Sequence, residues 1–166
     1  MKFIPHTGTT AFASYLAINL PFAPVADVRQ RLERQLGRPL KHRDEAHITV
    51  ITPPEFVRLQ PYLAIDEINR IVADSIQATR FKVACTGRAQ AVLEGELHST
   101  YFLVVDSPQL HRIRDRIALL YKQTGGPLPA FTEDYHPHIT VGFTHRDLYA
   151  ADGAIKDRRS CLKNAV

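Results

Sequence analysis

His47 and His138 each stand two residues before a threonine, in tetrapeptides that are identical: His47-Ile48-Thr49-Val50 and His138-Ile139-Thr140-Val141, 91 positions apart. A strand points alternate side chains to opposite faces, so in each copy imidazole and hydroxyl project together while the Ile and Val anchor the other face in a core. Histidine titrates nearest neutrality, so the pair can supply both a base and an acid to one reaction. The two threonine hydroxyls would donate hydrogen bonds to non-bridging phosphate oxygens as charge builds on them. Together these groups are the minimum kit for phosphoryl transfer without a metal. A single His-x-Thr-hydrophobic match arises at about one position in a few thousand at average residue usage, so two identical copies are not what chance supplies in a chain this short.

The elements that must carry these residues follow from periodicity. Ala13 to Asn19 reads as a first strand, closed by Leu20-Pro21. From Pro24 to Leu36, Val25, Val28, Leu32 and Leu36 fall at helical spacing, and Gly37 with Pro39 ends the helix. Glu45 to Thr52 carries the first repeat as a strand that Pro53-Pro54 stops, with a loop or turn expected after it. Leu63 to Ile76 is a second amphipathic helix, and Phe81–Leu93 with Ser99–Val105 suggests a hairpin. Ser107-Pro108 opens a third helix whose stripe is Leu110, Ile113, Ile117, Leu120 and Tyr121, and the second repeat lies on a strand from Tyr135 to Phe143. Strand, helix and His-x-Thr strand therefore occur in that order twice. Such a duplication predicts an α+β protein of two antiparallel sheets facing a central groove, with helices packed outside and pseudo-two-fold symmetry.

The 166 residues, 45% of them hydrophobic, suit one domain with room for two lobes. A net charge of +4 and a pI near 9.2 favour anionic partners without demanding a nucleic acid. Cys85 and Cys161 are the only cysteines. Neither belongs to a Cys-x-x-Cys or zinc-spaced cluster, and they predict a reducing, cytoplasmic setting. The N-terminus lacks the apolar run of a signal peptide, and no stretch nears the 18 apolar residues of a membrane span. A monomer is expected. His136-x-His138 could suggest a metal pair, but the first copy has no such extra histidine and no metal or cofactor is expected.

Two His-x-Thr-hydrophobic motifs about ninety residues apart in a small basic domain resemble the 2H phosphoesterase superfamily. Tyr135-His136-Pro137-His138-Ile139-Thr140-Val141-Gly142 is similar to that family's Pro-His-hydrophobic-Thr form. The strand starts at Tyr15 and Tyr101 are also similar, so the likeness covers most of residues 11 to 144. The resemblance implies a bilobal fold over residues 1–166, with His47 and His138 as acid and base supported by Thr49 and Thr140. It implies as substrate an RNA end or a nucleotide carrying a cyclic or linear phosphodiester, with 2′,3′-cyclic or 2′-5′ linkages foremost. Ile51-Thr52-Pro53 stands where ligase-like members have Phe-Leu-Gly, which points away from that branch. The phosphate's cationic contact is left open among Lys41, Arg43 and Arg146. His136, on the face of His138, and Tyr101, which begins a family-like strand, join Lys41 and Arg43 as candidate substrate-binding residues. The segment 145–166 reads as a C-terminal tail that could cover the cleft or bind RNA phosphates, its composition suiting a solvated terminus better. The alternative function is a non-catalytic RNA- or nucleotide-binding module using the same groove.

Overall fold

A strand-helix-strand order repeated along the chain yields, among the described residues, an α+β architecture of two three-stranded antiparallel sheets, β1-β2-β3 and β4-β5-β6, with four α-helices. The computed structural model describes residues 3–10, 12–132 and 134–163. Its segments form two compact units that interleave in sequence. One comprises the chain up to Asn19, Ile48–Phe81 and Ser107–Tyr135; the other comprises Leu20–His47, Lys82–Asp106 and the chain from His136 onward.

The first unit holds β1 (His6–Thr7), β2 (Ser14–Leu20), the later part of β3 (Ala46–Ile51), and the helices α2 (Pro53–Leu59), α3 (Ile65–Gln77) and α4 (Pro108–Gln123). The α3 and α4 stripes follow the periodicity, with Ile68, Val72 and Ile76 buried on one and Leu110, Ile113, Ile117 and Tyr121 on the other, while Leu120 of the expected α4 stripe is only half-buried. Helix α2 is a departure, because Pro53-Pro54 does end β3 but starts a helix rather than a loop. Proline is favoured in a helix's first turn, where its missing N–H leaves nothing unsatisfied. Thr52 and Glu55 complete a capping box: the Thr52 hydroxyl accepts from Glu55 N–H, and Glu55 accepts from Thr52 N–H at 2.8 Å. Glu55 also receives both guanidinium nitrogens of Arg114, at 3.1 and 2.7 Å. Arg114 is only 5% exposed, donates to the Val50 carbonyl at 2.7 Å, and lies 3.8 Å from the centre of the Phe131 ring and 4.4 Å from that of Tyr135. A buried guanidinium needs this full set of partners to offset its desolvation.

The second unit holds α1 (Phe22–Leu36), packed on β6 (His138–Phe143), and the long hairpin of β4 (Lys82–Leu93) and β5 (Glu96–Asp106). Glu94 and Gly95 at its tip both have positive φ, 52° and 82°, the pattern of a tight type I′ turn. Lys41 exchanges both backbone hydrogen bonds with Phe143, at 2.8 and 2.9 Å, and so joins the edge of β6.

The segment read as a solvated tail is instead part of this core. Leu148 and Ala154 pack with Ala89, Phe102 and Val104, while Asp147 and Lys156 are also buried. The cysteine reading is likewise overturned: Cys85 on β4 and Cys161, separated by 76 residues, form a disulfide with Cα atoms 5.7 Å apart. Bonds of this kind persist in oxidising surroundings, so the cysteines no longer argue for a reducing compartment. Next to the bond, Leu162 N–H donates to the Thr86 carbonyl at 2.9 Å. Replacing both cysteines by serine should lower unfolding stability by about 2–4 kcal/mol, as expected for releasing a long loop. Denaturant melts of wild type with and without reductant, beside the double variant, test this; coincident midpoints would remove the bond from the stability of the fold. Among the described residues no helix is long and apolar enough to cross a membrane.

Candidate active site

β3 alternates as the sequence demands, with Ala46, Ile48 and Val50 buried and His47 and Thr49 partly exposed between them. β6 repeats the pattern, with Ile139 and Val141 buried and His138 and Thr140 partly exposed. His47, His138 and Thr140 all belong to the second unit, where His47 and Thr140 line one shallow cleft with Arg43, Glu45 and Val141. His138 lies close enough to His47 for the two rings to interact electrostatically. Thr49 falls in the first unit, where its backbone carbonyl accepts from the Tyr135 hydroxyl at 2.9 Å. Burial pushes that phenol's pKa well up, so it stays a hydrogen-bond donor.

The two imidazoles differ in their surroundings. Nδ1 of His138 is 2.8 Å from the His136 carbonyl oxygen. A carbonyl only accepts, so Nδ1 carries the hydrogen and Nε2 keeps a free lone pair. Burial chiefly, then the positive charge of Lys156, pushes the His138 pKa down to about 3, against the opposing pull of the His136 carbonyl and Asp147. At neutral pH this ring is uncharged, with Nε2 as its acceptor. Nδ1 of His47 instead lies 3.4 Å from Glu45 Oε1.

Behind Thr140 lies a charged group that the motif does not announce. The Thr140 hydroxyl donates to Asp147 Oδ2 at 3.3 Å, and Lys156 Nζ donates to Asp147 Oδ1 at 3.0 Å. Asp147 is 5% and Lys156 7% exposed, and desolvation lowers the lysine's pKa while the carboxylate opposes that shift. Arg43 Nη2 is 3.8 Å from the same carboxylate and donates to the Tyr149 hydroxyl at 2.9 Å. A threonine has one hydrogen to give, so Thr140 reaches a phosphate only by releasing Asp147. At 3.3 Å that bond is longer than the usual hydroxyl hydrogen bond and is easily redirected.

The candidate substrate contacts separate. Arg43, 42% exposed and part of the cleft lining, is well placed as a cationic contact. His136 contributes its backbone to His138. Lys41 is exposed at the edge of β6, whereas Tyr101 is 2% exposed within β5 and offers no open ring face to a base. Arg146 is taken up by Asp152 through two bonds, at 2.9 and 2.6 Å, which hold the Asp152 carboxyl down at about 2. Asp147, Lys156 and Tyr149 are the participants that residue spacing missed, because nothing periodic or repeated marks them.

A family model described as Swiss Army Knife, 2H phosphoesterase domain, matches residues 14–149, a span that includes both His-x-Thr strands. The chain belongs to the 2H phosphoesterases. No curated protein and no solved structure gives a significant match. As a member of this family the protein is of the hydrolase type that acts on phosphodiester bonds. The matched span of this 2H phosphoesterase takes in Asp147, Tyr149 and Cys85 and ends before Lys156 and Cys161.

Proposed function

We propose that this protein hydrolyses a cyclic or linear phosphodiester of an RNA end or a nucleotide, 2′,3′-cyclic or 2′-5′ linked, without a metal and as a monomer. The observation that carries the reading is the unequal pair: a neutral His138 with a free Nε2, and a His47 that shares its cleft with Thr140 and Arg43. His138 takes a proton from water as its oxygen bonds to phosphorus. His47 gives a proton to the departing sugar oxygen as the old P–O bond breaks, leaving a phosphomonoester. Arg43 faces the phosphate's charge, and Thr140 turns from Asp147 to a non-bridging oxygen as negative charge builds there.

The test is a panel of nucleoside 2′,3′-cyclic phosphates, ADP-ribose cyclic phosphate, and 2′-5′ and 3′-5′ oligonucleotides, assayed with and without chelator. Turnover of at least one, unchanged by chelator, is expected; tight binding of the panel with no product would favour the binding-module alternative. The acid limb of kcat/KM supplies a further check. Activity requires His138 unprotonated, and its pKa is depressed, so the limb should lie well below the ordinary imidazole value of about 6.5. A limb at or above that value would reverse the two roles.

A further inference from the structure

Outside the His47/His138 cleft, the turn end of the β4-β5 hairpin gathers a second set of histidines. Glu96 and His98 lie two residues apart on β5 and so share one face of the strand. His145 follows β6, whose neighbouring residue Phe143 pairs with Thr100. One donor atom from each of Glu96, His98 and His145 lies within 4.8 Å of the other two, with His145 Nδ1 already 3.6 Å from Glu96 Oε2. The two imidazoles stack at 4.4 Å with their planes 30° apart.

Three features distinguish this group from a chance cluster of surface charges. Nδ1 of His98 is buried with no hydrogen-bond partner among the described residues, an arrangement that costs about 1–3 kcal/mol unless something takes the nitrogen's lone pair or hydrogen. Two stacked imidazoles repel each other once both are protonated, whereas a shared cation draws both lone pairs inward. Lastly, Asp152 interacts electrostatically with His98 and adds negative charge without spending its oxygens, which Arg146 and the Tyr149 N–H already hold.

We infer that Glu96, His98 and His145 form a binding site for a divalent transition-metal ion of the zinc class, separate from the His47/His138 site. Two imidazoles and one carboxylate match the ligand set of open zinc sites, in which water takes the fourth position. Bonds of about 2.0–2.2 Å require the donors to draw together by roughly an ångström, and Glu96 and His145 are exposed and free to swing. Nitrogen donors select such ions over magnesium and calcium, which demand oxygen ligands.

Calorimetric titration of tag-free protein with Zn²⁺, beside Mg²⁺ and Ca²⁺, tests the site. One zinc ion per chain is expected, with no comparable heat from the other two. Each of His98→Gln and His145→Gln should weaken zinc binding at least as much as the tenfold to hundredfold typical of losing an outer-shell partner, and the pair together should abolish it. Glu96→Gln, at an exposed position that does not bear on folding, should weaken it by about tenfold or more. A variant with both His47 and His138 changed to Ala should bind zinc as wild type does. Absence of zinc binding by wild type, unchanged binding in the His98/His145 pair, or its loss in the His47/His138 pair would each overturn the assignment. None of these readouts depends on the proposed hydrolysis.

Discussion

Replacing either His47 or His138 by alanine is expected to lower turnover of the responsive phosphodiester by about 100-fold or more, while the thermal midpoint moves little. Both side chains are only partly buried at the open face of their strands, whereas Ile48, Val50, Ile139 and Val141, on the opposite face, hold β3 and β6 in the core. The proposed chemistry and the packing therefore fall to different residues of the same strands. The roles proposed for the two rings also separate the variants. Without His138 the reaction loses its base, so hydroxide at raised pH should restore part of the rate. Without His47 it loses its acid, so a substrate with a good leaving group, such as a nitrophenyl ester, should suffer less. Steady-state kinetics across pH with both kinds of substrate measure this. Full turnover in both single variants would refute histidine catalysis altogether.

The second large effect concerns stability. Lys156→Met leaves Asp147 buried without its nearest cation, and breaking one side of such a pair costs about 3–5 kcal/mol. Arg43, 3.8 Å away, still offsets part of the charge and places the expected loss toward the lower end. Removing both charges, with Asp147→Asn added, should recover much of the stability, since no orphaned ion remains. Denaturant unfolding of the three proteins measures the difference; a single variant as stable as wild type would show the pair to be dispensable. Where Lys156→Met remains folded, it carries a kinetic signature as well. The lysine's charge is the largest electrostatic influence holding down the His138 pKa, so its loss should move the acid limb of kcat/KM upward. A merely structural lysine would leave the limb in place.

What could be read from the chain, and what could not, divides along the range of the interactions involved. The repeated His-x-Thr strands, the stripes of α3 and α4, and the β4-β5 hairpin all depend on neighbours within a few residues, so periodicity displays them. Helix α2 escapes a reading by periodicity although its signals are local, because Pro53-Pro54 reads as a stop while the Thr52–Glu55 capping box makes it a start. The disulfide, the Asp147–Lys156 pair and the neutralisation of Arg146 by Asp152 leave no periodic trace. The disulfide joins residues 76 apart, and the two ion pairs look like ordinary surface charge until the fold buries or pairs them. Tyr101 shows the converse error, since its place at the start of a recognisable strand says nothing of which face its ring occupies. The site was thus legible as chemistry but not as electrostatics: the motif names both histidines, yet the depression of one relative to the other depends on burial and on Lys156.

The interleaving of the two units carries a consequence for the order in which the molecule can be made. A chain emerging from its N-terminus supplies every segment of the first unit once Tyr135 has been added. The second unit, which contains His47 and His138, also needs β6 and the segment that ends in the Cys161 bond. Its early helix α1 must therefore wait for a strand made more than a hundred positions later. Pairings over such distances are slow to form. The proposed active-site cleft therefore forms only after every segment of the first unit has been made, and a chain arrested before His138 would lack it.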